Sequence, residues 1–129
     1  MTRRLAVVLA MAVSACAQGP DAARGTFAPD YRGVEAVPLD DELVNLRVAM
    51  RGARGREDVD AYARCAAVQY TLARGYGFAR HVRTTVAQSG GRWRGDAVYT
   101  ISATMPRGLR TLDAEVVVRD CEALGIPTA

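Results

Sequence analysis

The residues of this chain with the most distinctive side-chain chemistry are three cysteines and one histidine: Cys16, Cys65, Cys121 and His81. A nucleophilic thiol needs a base placed to activate it, and His81 is the only imidazole available. It has no Cys, Asp or Glu at metal-ligand spacing, so we interpret it as a solvated residue on a strand face shared with Arg83 and Thr85. The motifs HExxH, CxxC, GxSxG, GxGxxG and the P-loop do not occur. We therefore expect no enzymatic activity, no metal site and no cofactor.

Cys16 follows a segment with the layout of a secretory signal peptide. Arg3 and Arg4 form a positively charged n-region, the apolar run LAVVLAMAV occupies residues 5–13, and small residues follow. That run is too short to cross a membrane, which takes about 20 apolar residues. The sequence therefore predicts an exported chain.

The stretch VSAC at residues 13–16 resembles a bacterial lipobox. The resemblance implies that residues 1–15 are a lipoprotein signal peptide and that Cys16 is acylated, which would make the lipid bilayer a partner. An alternative stays open, because ACA at residues 15–17 also fits ordinary signal cleavage. A cut after Ala17 would remove Cys16.

Setting Cys16 aside leaves Cys65 and Cys121 as a pair. In an exported chain an even number of cysteines is most simply explained by a disulfide. Closing that loop would stabilise the fold by about 4 kcal/mol in the loop-entropy model. The alternatives are two inert buried thiols or a nucleophilic Cys65.

The charge balance gives no support for a nucleic-acid partner. The chain has 17 basic and 14 acidic side chains, for a net charge of +3. Removal of residues 1–15 takes away Arg3 and Arg4, which leaves 15 basic side chains against the 14 acidic ones, or +1. We expect no binding to nucleic acid.

Composition divides the chain after the signal peptide into a tether and a domain. Residues 17–38 contain three prolines and three glycines without an apolar period, which is typical of a flexible linker. We therefore assign residues 16–38 to the lipidated cysteine and its tether, and residues 39–129 to one small domain.

Apolar periodicity within the domain predicts one helix and four strands. Residues 42–52 alternate as in a half-buried strand, and residues 56–77 carry an apolar stripe at helical spacing. Three further strands are predicted over residues 78–88, 93–105 and 109–121, with short turns between them. The predicted fold is α+β, with one helix packed on a four-stranded, mainly antiparallel sheet in the order β-α-β-β-β.

Two arginine-containing segments are the candidate binding sites. Arg51, Arg54 and Arg56 lie in the loop that leads to the helix N-terminus, where a phosphate or carboxylate could bind. The alternative is that these arginines pair with the carboxylates that follow them, which are Glu57, Asp58 and Asp60.

The second segment is a candidate contact patch formed by Arg92, Trp93 and Arg94 beside a hairpin turn. Trp93 begins an apolar strand face, so the alternative is that it belongs to the core.

The chain as a whole resembles the small uncharacterised lipoproteins of Gram-negative bacterial envelopes. The resemblance rests on VSAC, on the tether and on YARCAAVQYTLARGYGF at residues 62–78, an Ala-rich helix that ends in a Gly-Tyr pair. It implies an anchored protein of the outer membrane that faces the periplasm, since Ala17 is not Asp. The predicted function is a non-catalytic binding or structural accessory module with an envelope protein partner. The alternatives are an inhibitor of an envelope-directed hydrolase, acting through residues 90–94, and anion binding at the loop of residues 51–56.

Overall fold

Five strands and two helices make up the part of the chain that the computed structural model describes, residues 27–108 and 110–128. The elements are β1 (Asp30–Asp40), β2 (Leu43–Arg51), α1 (Arg56–Ala73), β3 (Phe78–Ser89), β4 (Arg92–Ser102), β5 (Thr111–Asp113) and α2 (Ala114–Leu124). The predicted signal peptide, Cys16 and the first part of the predicted tether lie outside the described residues.

The strands form a single antiparallel sheet in the order β1-β2-β4-β3-β5. Strands β1 and β2 form one hairpin and β3 and β4 form another, while α1 carries the chain from β2 across to β3. The α+β class, the antiparallel pairing and the long helix are as the sequence predicts. The sheet has five strands, so the predicted count of four is wrong.

The additional strand is β1, and most of it comes from residues that the sequence assigns to the tether. It pairs along its length with β2, with register shifts between Tyr31 and Gly33 and between Pro38 and Asp40. Proline is tolerated in a sheet at an edge strand, and β1 pairs only with β2 among the described strands. The hydroxyl of Tyr62 on α1 accepts a hydrogen bond of 3.1 Å from the Gly33 amide, which fixes β1 to the helix.

The predicted last strand is also wrong over most of its length, because α2 begins at Ala114. The Asp113 side chain caps this helix by accepting hydrogen bonds from the amides of Glu115 and Val116, at 3.1 and 3.3 Å. Gly125 ends it in the left-handed conformation with φ 69°. The run of valines suggests a strand, but the two caps and the packing of α2 on α1 favour a helix.

The main core lies between the sheet and α1. Side chains of β2 that face the helix are Val44, Leu46, Val48 and Met50, each almost fully buried. Helix α1 crosses the sheet closest at Gly95, where an added Cβ would lie 2.6 Å from Val59 Cγ1 and 2.9 Å from Val48 Cγ2. Only glycine fits at this crossing.

A second cluster joins α2 to the flank of α1 that faces away from the sheet centre. It contains Val68, Ala114 and the disulfide between Cys65 and Cys121, whose Cα atoms are 5.9 Å apart. The predicted disulfide is therefore present in the structure. Both cysteines are 1% exposed, so the bridge connects the two helices from inside the fold.

Candidate functional site

The sheet face opposite α1, which we call the open face, carries most of the arginines of the strands. Strand residues alternate between the two faces, so the residues between the core positions point away from α1. The arginines on the open face, all exposed, are Arg32, Arg47, Arg51, Arg80, Arg83, Arg92 and Arg94. The open face is therefore a broad surface of positive charge.

The strand register concentrates these arginines at one end of the open face. Arg51, at the end of β2, lies directly opposite Arg92, at the start of β4, and Arg94 follows opposite Ala49. We call Arg32, Arg51, Arg92 and Arg94 the basic end. Like charges directly opposite each other in a sheet are destabilising, so the Arg51–Arg92 pair is a local cost that a bound anion would offset.

Carboxylates neutralise only part of this surface. Arg32 Nε lies 2.7 Å from Asp30 Oδ2, and Arg47 Nη1 lies 3.8 Å from Glu35 Oε2. Among the described residues, no carboxylate lies within 4.0 Å of the guanidinium groups of Arg51, Arg92 and Arg94. Their hydrogen-bond donors face solvent and are available to a ligand.

The surface between these side chains is a shallow depression rather than a closed pocket. A cavity of about 160 Å³ lies among the four arginines of the basic end. It shares Arg32, Ala49 and Arg94 with a wider groove of about 650 Å³. The wider groove runs past Arg47 and Asp96. Its open form suits the surface of a large anionic partner better than a small enclosed ligand.

The three loop arginines predicted to bind an anion make different contacts in the structure. Arg54 forms two hydrogen bonds with the Asp58 carboxylate, Nη2 to Oδ1 at 2.8 Å and Nε to Oδ2 at 3.1 Å. Arg56 lies 3.5 Å from Asp60 Oδ2 and donates to the Thr84 carbonyl at 2.7 Å. The alternative of local pairing therefore describes Arg54 and Arg56, while Arg51 belongs to the basic end.

The Asp58 carboxylate is the partner of both the backbone and the side chain of Arg54. It accepts a hydrogen bond of 2.7 Å from the Arg54 backbone amide in addition to the side-chain bonds. Hydrogen bonding from the Arg54 side chain holds the pKa of Asp58 below its usual value. Arg54 is therefore held by a carboxylate that stays ionised, and its Nε and Nη2 donors are already used.

The predicted contact patch is divided between the two sheet faces. Arg92 and Arg94 lie on the open face, whereas Trp93 packs against the core beside Met50, its partner across the strands. Trp93 therefore belongs to the core, as the alternative interpretation of the sequence predicts. The loop of residues 90–94 is a tight turn at Gly90 and Gly91 that leads directly into β4.

His81 does not share a face with Arg83 and Thr85, so that part of the prediction is wrong. A bulge between His81 and Arg83 changes the alternation of β3. His81 is half-buried on the core side, with Nε2 2.6 Å from Thr84 Oγ1 and its ring 5.1 Å from that of Tyr99. Burial raises the pKa of Tyr99 to about 12, so this phenol stays protonated near neutral pH.

Sequence reasoning missed Arg32 and Arg47 as members of the site. Arg47 alternates with core residues along β2, which signals its face, but its neighbours across the sheet depend on register. Arg32 lies in the segment assigned to the tether, which has no strand periodicity. Neither a helix long and apolar enough to cross a bilayer nor a metal-binding group of three or more His, Cys, Asp or Glu occurs in the described residues.

The fold and the site together define a small α+β domain with one sheet face covered by helices and one open, arginine-rich face. Residues 31–125 match the model of the YNQ4 C-terminal domain family, and the chain belongs to that family.

The chain is also similar to a protein of Paracoccus denitrificans described as "Uncharacterized 26.9 kDa protein in nqo8 5'region". The two are 31% identical over 106 residues, which cover 78% of this chain and 42% of the relative. The chain thus spans less than half the length of that protein. No solved structure matches it.

Proposed function

We propose that this chain is an exported lipoprotein, anchored through acylated Cys16, whose domain is a non-catalytic binding module of the cell envelope. The open face is its binding surface, and its ligand is an anionic partner. The lipobox-like VSAC stretch supports the anchor, and the disulfide between Cys65 and Cys121 supports an oxidising compartment.

The observation that carries the binding proposal is that no carboxylate among the described residues lies within 4.0 Å of the guanidinium groups of Arg51, Arg92 and Arg94. Asp30, which lies opposite Arg51, forms its ion pair with Arg32. Arg54 and Arg56 show that this domain does pair arginines with acids where it uses them for folding. Guanidinium groups form bidentate hydrogen bonds with phosphate and carboxylate oxygens. An unpaired cluster at one end of the open face is therefore best explained by a ligand.

Binding to two soluble polyanions, inorganic polyphosphate and polyglutamate, tests the function of the face. We expect the triple variant Arg51→Gln/Arg92→Gln/Arg94→Gln to bind about tenfold more weakly or worse, because it loses three exposed charge-assisted contacts. The matched control is Arg64→Gln/Arg74→Gln/Arg119→Gln, which removes the same charge from the helix layer, where all three side chains are exposed. Isothermal titration calorimetry at low ionic strength measures the affinity of both triple variants for the polyanions.

Equal weakening by the two triple variants would overturn the proposed site, since only net charge would then matter. Absence of polyanion binding by the wild-type chain would overturn the binding function itself.

Intact mass spectrometry of protein extracted from membranes tests the anchor. A lipid adduct on an N-terminal Cys16 is expected, together with the loss of two hydrogens at Cys65 and Cys121. A chain that begins at Gln18 would overturn the anchor and leave the binding function of the open face in place.

A further inference from the structure

We infer that the basic end of the open face docks on the anionic phospholipid headgroups of the bilayer that holds Cys16. The ligand class is thus the headgroup phosphate, and the docked domain has a fixed orientation on the membrane. This inference rests on the proposed function and names the partner of the same face.

The path of the chain brings the anchor to the basic end. Asp30, the first residue of β1, lies opposite Arg51 in the sheet, and Arg51 lies opposite Arg92. Just before it, the Phe27 ring lies 3.6 Å from the guanidinium carbon of Arg54, so the described chain enters beside these side chains. Residues 17–29 can span at most about 45 Å when fully extended. A membrane anchor at Cys16 therefore keeps the domain within this distance of the bilayer, and the chain joins the domain at the basic end.

The opposite end of the sheet carries the opposite charge. Asp40 ends β1, Asp41 and Glu42 form the turn to β2, and all three are exposed. At about 3.3 Å for each strand residue, this turn lies about 30 Å from Arg51 along β2. An anionic surface therefore attracts one end of the sheet and repels the other, which fixes the orientation of the domain.

The glycine turn beside the basic end allows close approach to a surface. The β3–β4 connection consists of Gly90 and Gly91, which carry no side chain, and Gly90 has φ 60°. The Arg51 guanidinium reaches this turn, with Nη1 3.8 Å from the position of a Cβ on Gly91. Short glycine turns let Arg51, Arg92 and Arg94 extend beyond the backbone toward headgroup phosphates.

Hydrogen exchange of the membrane-extracted protein, reconstituted in vesicles, tests the docking. The vesicles contain phosphatidylcholine alone or with one third phosphatidylglycerol. We expect the amides of Gly90, Gly91 and residues 52–55 to exchange about tenfold more slowly on the anionic vesicles, and those of Asp41 and Glu42 to be unchanged. High salt should remove the difference, because the attraction is screened.

The same two triple variants provide the controls. Arg51→Gln/Arg92→Gln/Arg94→Gln should abolish the protection, since three arginines near an anionic surface change the docking equilibrium on the order of 100-fold. Arg64→Gln/Arg74→Gln/Arg119→Gln should retain it.

The remaining outcomes separate this inference from the proposed function. Equal exchange on both vesicle types, with polyanion binding intact, would overturn the docking and leave the binding module. If polyglutamate protects the same amides and phosphatidylglycerol has no effect, the occupant is an acidic protein. That outcome would also overturn the docking on lipid headgroups. Absence of both polyanion binding and vesicle docking in the wild-type chain would overturn both proposals.

Discussion

The two faces of the sheet are made by alternate residues of the same strands, yet they have opposite properties. In β2, Leu46 is fully buried under α1 while its neighbour Arg47 is exposed on the open face. The core face is apolar and closely packed, and the open face is charged and only partly neutralised. The core face therefore determines the stability of the fold, and the open face is free to serve binding.

Removal of the disulfide should have the largest effect on stability. We expect Cys65→Ala/Cys121→Ala to lose about 4 kcal/mol in the free energy of unfolding, because the reduced unfolded chain gains loop entropy. Urea denaturation measures this loss. A loss below about 1 kcal/mol would mean that the packing between α1 and α2 is sufficient without the bridge.

Adjacent residues of β2 give the sharpest comparison of the two faces. Leu46→Ala should destabilise the domain by about 3 kcal/mol, because it leaves a cavity beneath α1. Arg47→Ala should change stability by about 0.5 kcal/mol or less, since its side chain is exposed and its contact with Glu35 spans 3.8 Å. Similar losses in the two variants would contradict the division of roles between the faces.

Gly95 tests the closeness of the helix to the core face. We expect Gly95→Ala to cost about 2 kcal/mol, because the new methyl group would lie 2.6 Å from Val59 Cγ1. Gly91→Ala, in the exposed hairpin turn, is a matched glycine substitution, with Arg51 Nη1 3.8 Å away as its nearest neighbour. Thermal unfolding should show a clearly larger decrease in Tm for Gly95→Ala.

The Arg54–Asp58 pair predicts an acid-dependent part of the stability. The folded-state pKa of Asp58 lies below its usual value of 3.8, so its contribution is fully present above that pH. It is lost as the pH falls through the folded-state pKa. Asp58→Asn should therefore be less stable than wild type at neutral pH, with the difference shrinking below about pH 4. A pH-independent difference would show that the charge of Asp58 is not involved.

The smallest effect is expected on the open face, and it has the opposite sign. Arg51→Gln should stabilise the free domain by about 0.5 kcal/mol at low salt, because it relieves the like-charge pair with Arg92. With polyphosphate present, the wild-type chain should instead be more stable than the Arg51→Gln variant, because tighter binding stabilises it more. Denaturation with and without polyphosphate measures both effects, and a destabilised Arg51→Gln variant without ligand would contradict this account of the face.

The sequence predicts the elements whose hydrophobic period is clear. The strand predicted within residues 42–52, the beginning of α1 at residue 56 and the strand that begins at Phe78 are confirmed. The sequence pattern does not predict strand β1, because Gly33, Pro38 and two register shifts break its alternation. Its strand character comes from pairing with β2, which is a contact between segments. Helix α2 was missed because three consecutive valines favour a strand, although Asp113 and Gly125 are recognisable caps.

The candidate site was predictable only in part. The sequence predicts an anion site that includes Arg51 and, separately, a contact patch that includes Arg92 and Arg94. The antiparallel register of β2 and β4 places Arg51 opposite Arg92, and no local pattern specifies that pairing. For Arg54 a local pattern does exist, because its pairing with Asp58, four residues further on, is the alternative that the sequence offers.

The sequence by itself determined the periodic elements, the pairing of the two cysteines that follow Cys16, and the lack of known catalytic motifs. These properties depend on neighbouring residues or on simple counts, so they can be identified without knowing the fold. The tertiary structure alone decided the fifth strand, the second helix and the meeting of the arginines at one end of the sheet. Those depend on which strand pairs with which and in what register, and register is set by burying the core face under α1.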